Sequence, residues 1–126
     1  MIPILVIFCI VLMHWVADFI FQDEAWALGK SKALSPLLKH TATYSILWFP
    51  LIWSLQDIYG ALLFVGITFA AHTFTDYFTS KVVSKKFAAG KYGSPIPNFG
   101  AFTLIGGDQV LHYAQLFGTY YLLFNN

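Results

Sequence analysis

The chain has 126 residues, 58% of them hydrophobic, 19% aromatic and only 10% charged. Soluble domains average about 25% charged residues, so the composition argues against a purely aqueous fold, and the length suits one domain. A net charge of +1, with no basic stripe interleaved with aromatics, leaves no case for a nucleic-acid partner. The single cysteine, Cys9, can form neither an intrachain disulfide nor a zinc motif.

The first apolar segment is read over 2–21. It lacks the basic start and small-residue cleavage site of a leader, and it has about the 20 residues that a spanning helix needs. Pro3 falls in its first turn, where a missing N–H does no harm. The segment closes on His14, Asp18 and Gln22, whose successive i, i+4 spacing puts them near one helical face. The polar stretch 22–35 follows, with Asp23, Glu24, Lys30 and Lys32, and Ser35-Pro36 reads as an N-cap followed by the first helical residue.

Segment two is predicted over 36–55, with His40 in its first turns and Tyr44 one turn later, read as packing. Pro50 is expected to kink it late. Only Gln56-Asp57 separates it from segment three (58–82), which predicts an antiparallel hairpin. Segment three repeats the first motif as His72-x-x-x-Asp76-aromatic and runs on into a basic end with Lys81, Lys85 and Lys86. The stretch 89–100 is a loop by its Gly and Pro content. Segment four covers 101–124, where Gly106-Gly107 is expected to break or delay the helix ahead of Asp108, Gln109 and His112.

These segments predict an all-α integral membrane protein: one transmembrane domain over 1–126, built as a four-helix bundle in two hairpin-like halves. The seven lysines (Lys30, Lys32, Lys39, Lys81, Lys85, Lys86 and Lys91) lie in or beside the loops after segments one and three, and there is no arginine. The positive-inside rule then places both long loops in the cytoplasm and both termini outside.

On that topology all four histidines and three aspartates share one depth, with His14 about 10 Å inside the end of segment one. Helical bundles build metal sites from inward residues at such spacings. The candidate ligands are His14, Asp18, His40, His72, Asp76, Asp108 and His112. Imidazole with carboxylate suits zinc first, with manganese or iron as alternatives. A carboxylate not used as a ligand, Asp18 or Asp76, is the candidate general base. Gln22, Lys32 and Gln109 are candidate substrate contacts. The function expected is a metal-dependent hydrolase or lipid-modifying enzyme acting on a membrane lipid or isoprenoid-linked substrate, with membrane lipids as partners and a homo-oligomer left open. Two other classes stay in play: a small ion- or proton-coupled transport or relay protein, and a structural or regulatory membrane subunit.

The ordered set His14-x-x-x-Asp18-Phe19-x-x-Gln22, Lys30-Ser31-Lys32, His40-x-x-x-Tyr44, His72-x-x-x-Asp76-x-x-x-Ser80 and Asp108-Gln109-x-x-His112 resembles an uncharacterised bacterial family of small four-helix inner-membrane proteins, classed as a domain of unknown function. The resemblance spans nearly the whole chain. It implies a multi-pass protein of the bacterial inner membrane, or a phage-borne copy, and supports the same residues without supplying a reaction. Gly106-Gly107 departs from the pattern, where the family usually has apolar residues.

Overall fold

A computed structural model describes residues 1–88, 90 and 101–125. Its order is α1 (Ile4–Trp15), a π-helical turn (Val16–Ile20), α2 (Glu24–Gly29), α3 (Leu34–Leu55), α4 (Ile58–Ala88) and α5 (Ala101–Phe124). All-α is therefore observed, with five α-helices among the described residues.

Local chemistry explains most of the boundaries. Extended Pro3 precedes α1. Asp23 caps α2, its carboxylate accepting from the Ala25 amide at 2.8 Å. Asp57 does the same for α4, accepting from the Gly60 amide at 2.9 Å. Helix α3 starts earlier than expected: extended Ala33 precedes it, so Ser35 and Pro36 lie inside its first turn, where proline is still tolerated. It then continues through Pro50 to Leu55. Helix α5 is continuous through Gly106 and Gly107, so the expected break is not there.

Helix α4 packs broadly against both α3 and α5. Helix α1 lies against α5, the π-helical turn against α3, and α2 against α3. Each long element buries one stripe at helical spacing: Val6, Ile10 and His14 on α1; His40, Tyr44, Trp48 and Ile52 on α3; Phe64, Thr68, His72 and Asp76 on α4. His112, Leu116 and Tyr120 are the matching buried positions of α5.

The four-span bundle is not what this architecture supports. Among the described residues only α4 is long and apolar enough to cross a membrane. The first segment is a shorter apolar helix over Ile4–Ile20. Helices α3 and α5 are long, but Lys39, His40, Thr41 and Ser45 dilute the apolar character of one, and Asp108, Gln109, His112 and Gln115 that of the other. The placement of both termini outside and both long loops inside came from counting four crossings, so it falls with them. The division into two halves also gives way to a bundle centred on α4. Helix α2 was not expected inside the polar stretch 22–35. The predicted loop 89–100 lies, apart from Gly90, outside the described residues, as does Lys91.

Candidate metal centre

The four stripes deliver their polar residues to one end of the bundle. His14, Asp18, His40, His72, Asp76 and His112 are all buried there. Asp18 sits within the π-helical turn, a local underwinding that recurs at functional sites. Gln22 supports that turn by donating from its amide to the Asp18 carbonyl at 3.1 Å.

Three donor atoms converge first. His40 Nε2 lies 3.2 Å from Asp18 Oδ1 and 3.1 Å from His72 Nε2, and His72 Nε2 lies 3.7 Å from Asp18 Oδ1. Ligands held 2.0–2.2 Å from a tetrahedral zinc ion stand about 3.3–3.6 Å apart, so the triangle has the right size for one face of a zinc site. A second group, His72, Asp76 and His112, also brings its ligand atoms within 4.8 Å of one another. His112 Nε2 there faces Asp76 Oδ1 at 3.2 Å. His72 belongs to both groups.

Hydrogen bonding accounts for the His40–His72 and His72–His112 ring contacts but leaves several of the polar atoms unpaired. Asp18 Oδ1, Asp76 Oδ1, Asp108 Oδ1 and His112 Nε2 are buried without a hydrogen-bond partner among the described residues. The distances to nearby nitrogens are short, yet the directions do not fit a hydrogen bond. Buried carboxylate oxygens left in this way cost stability unless something satisfies them.

Around the core groups lies a holding network. Gln109 Nε2 donates to Asp18 Oδ2 at 3.2 Å and to Asp108 Oδ2 at 3.3 Å, which fixes which end of that amide is nitrogen. Its Oε1 then accepts from His14 Nε2 at 2.5 Å, so the other ring nitrogen, Nδ1, accepts from the Tyr44 hydroxyl at 2.7 Å. Tyr44 also stacks on the His72 ring, with centroids 3.8 Å apart and planes 8° from parallel. Asp108 Oδ2 stands 3.2 Å from His112 Nε2. Lys30, at the end of α2, reaches in to bond Asp76 Oδ2 at 2.7 Å.

A cleft of about 490 Å³ opens beside the cluster. Asp18, Gln22, Lys30, Lys32, Asp108 and Gln109 lie on its polar side, while Phe19, Leu28, Val83, Phe87 and Ile105 form its apolar walls. Ligand sites commonly have this size and this division of labour.

The seven expected ligands and three expected substrate contacts thus fall in one neighbourhood. Asp18, His40, His72, Asp76 and His112 form the convergent groups, whereas both nitrogens of His14 are already engaged and Asp108 sits beside His112. Gln22, Lys32 and Gln109 all line the cleft. Sequence reasoning counted Lys30 among the lysines that could hold an anionic head group without pairing it with Asp76, and took Tyr44 for packing. The signal for Tyr44 was its i, i+4 spacing from His40, the same spacing that marked the His–Asp pairs. No local signal pointed from Lys30 to Asp76.

Residues 6–126 match the model of a family described as "Protein of unknown function (DUF3307)", and the chain belongs to that family. No curated protein and no solved structure matches it.

Proposed function

We propose that this member of the DUF3307 family is a membrane-seated bacterial metalloenzyme. In this reading it is a hydrolase or lipid-modifying enzyme that holds a divalent metal, zinc first with manganese or iron as alternatives, and acts on a membrane lipid or an isoprenoid-linked ester or phosphoester. The carrying observation is the Asp18–His40–His72 triangle, with edges of 3.2, 3.1 and 3.7 Å. Three ligands of this kind leave a fourth position for water or substrate, and Asp18 also borders the cleft. Charge supports the same reading. Three carboxylates face one ammonium, Lys30, so negative charge is left in the cluster for protonated imidazoles or a divalent cation to offset.

A bound metal would lower the pKa of a coordinated water and so supply a nucleophile near neutral pH. The chain's own groups have separable tasks. Asp18 presents one oxygen to the metal position while Gln109 holds the other. Asp76 is the candidate general base, kept in place by Lys30. His14 and Tyr44 orient Gln109 and the His72 ring.

Seating in a membrane is supported by α4 and by the apolar outer surface. Leu62, Leu63, Ile67, Phe74 and Phe78 stand exposed along α4, and Ile4, Leu5 and Phe8 along α1. A contiguous surface of this kind is unfavourable in water and calls for a covering. Lipid is the partner the reading requires, and a second copy of the chain is not needed for it.

The test is metal content of the detergent-purified protein, before and after zinc is added back, beside His72→Ala. About one or two equivalents in the wild type and none in the variant are expected, because both groups share His72. A wild type that stays metal-free after zinc addition overturns the proposal.

A proton relay has one observation in its favour. His40, His72 and His112 form a chain of ring-nitrogen contacts, each 3.1 Å. Among the described residues, the buried positions at the other end of the bundle (Val6, Ile10, Ile52, Thr68, Leu116, Thr119 and Tyr120) continue it with no imidazole or carboxylate. Proton flux in proteoliposomes that disappears in Asp18→Asn would favour the relay over the enzyme.

A further inference from the structure

We infer that the cleft beside the cluster binds the phosphoryl head of a single-chain amphiphile, with Lys32 and Lys30 as its cations and the apolar walls taking its chain. This deepens the enzymatic reading by naming the class of molecule, and it rests on that reading only for what happens to the head group afterwards.

The cleft is chemically divided. Lys30, Ser31 and Lys32 come to it from the connection between α2 and α3, and Thr79, Ser80 and Ser84 from α4. Together they supply ammonium and hydroxyl donors, the pairing that suits phosphoryl oxygens. Phe19, Leu28, Val83, Phe87 and Ile105 supply the apolar wall. A purely polar anion would leave that wall in water, and a purely apolar ligand would bury the lysines unpaired. An amphiphile satisfies both.

Two lining groups already lack what such a head group offers. Ser80 Oγ and Gln22 Oε1 are shielded from solvent and have no hydrogen-bond partner among the described residues. A serine hydroxyl donates readily to a phosphoryl oxygen, and the Gln22 carbonyl accepts from a protonated phosphate or from its water. Lys30 also joins the cleft to the cluster, since it lines the cleft and its Nζ bonds Asp76 Oδ2 at 2.7 Å. Asp18 and Asp108 line the cleft as well. Their negative charge repels the head group, so the two lysines, helped by any bound metal, must offset them. The volume of about 490 Å³ accommodates a phosphate and one chain of moderate length, and it leaves no room for a second chain.

The experiment measures binding of dodecyl phosphate, dodecanol and inorganic phosphate to the full chain purified in a neutral detergent. Each ligand is tested with zinc added and with a chelator. Dodecyl phosphate is expected to bind at least about tenfold tighter than either half-molecule, and Lys32→Gln to weaken it by about three- to tenfold while leaving dodecanol unchanged. Lys32 is exposed, so this variant does not threaten the fold. Equal binding of dodecyl phosphate and dodecanol would overturn the inference by reducing the cleft to an apolar surface. Equal binding of inorganic phosphate would overturn it by reducing the cleft to a free-anion site. Lys32-dependent binding by a protein that takes up no zinc would uphold the cleft and remove the metalloenzyme, so the two ideas fail separately.

Discussion

The two ends of the bundle are built by the same helices on the same helical period, yet they follow different rules. At one end α1, α3, α4 and α5 contribute Val6 and Ile10, Trp48 and Ile52, Ala61 and Phe64, and Leu116 and Tyr120. At the other, the same stripes continue as His14 and Asp18, His40 and Tyr44, His72 and Asp76, and His112. The apolar end is held by area and shape, as where Trp48 packs on Phe64 with ring centroids 5.6 Å apart. A well-fitting hydrophobe is enough there. At the polar end each atom needs a particular partner, and several oxygens have none among the described residues. Stability alone would favour replacing such a cluster with apolar side chains. The contrast teaches that stability does not explain the polar end, and under the proposed metal-binding reading it is kept for what it would bind.

The comparison breaks most visibly under Trp48→Ala. This buried residue carries the largest side chain of the apolar end, and its loss is expected to cost about 3–5 kcal/mol of stability. Metal content per folded molecule should be unchanged. A thermal melt in detergent with metal analysis of the surviving fraction decides it. Metal lost in step with Trp48, from protein that is still folded, would mean that the two ends are one unit.

Chelation should act in the opposite way, on the polar end alone. If zinc is held at about a hundred times its dissociation constant, removing it lowers stability by about 2.7 kcal/mol. Trp48→Ala should show a similar decrement from its own lower starting point, since Trp48 reaches the cluster only through Tyr44, with ring centroids 6.0 Å apart. Asp18→Asn, which removes a member of the convergent triangle, should show little or none.

How much of this contrast was readable beforehand depends on which interaction made it. The pairs His14/Asp18, His72/Asp76 and Asp108/His112 were legible because i, i+4 spacing is written in the chain itself. The gathering of polar residues at one end followed from their place along each segment. The π-helical turn was not legible, because a slipped hydrogen-bond register around Asp18 leaves no mark in residue type. The Lys30–Asp76 bond depends on α2, a six-residue helix that a window set for long apolar runs passes over. The four-span count failed for a related reason. The inward polar residues that betray the site are the same ones that lower the apolar character of α3 and α5, and they were credited to the site without being charged against the spans.

A smaller effect sharpens the comparison further. Tyr44→Phe deletes one buried hydroxyl, the donor to His14 Nδ1. The direct loss is about 1 kcal/mol. His14 would keep only its bond to Gln109, which positions Asp18, and losses of such supporting contacts typically weaken metal binding about 10–100-fold. Zinc competition against a chromogenic chelator reads this directly.

Thr68→Val is the matched control and carries the smallest expected change. Thr68 is as fully buried as Tyr44 and also gives up a single hydroxyl. Its Oγ1 accepts from Gln115 Nε2 at 3.2 Å, but that amide also donates to Thr119 Oγ1 at 3.1 Å, so it keeps a partner when Thr68 loses its oxygen. Valine fills nearly the same volume. The expected cost is therefore about 0.5–1 kcal/mol, at the low end for a hydrogen bond, with zinc affinity unchanged. The two hydroxyls match in burial and atom count, and differ in whether a chain of contacts leads from them to Asp18. If Thr68→Val weakened zinc as much as Tyr44→Phe does, affinity would follow general loosening of the core, and the holding network drawn through His14 and Gln109 would have no separate role.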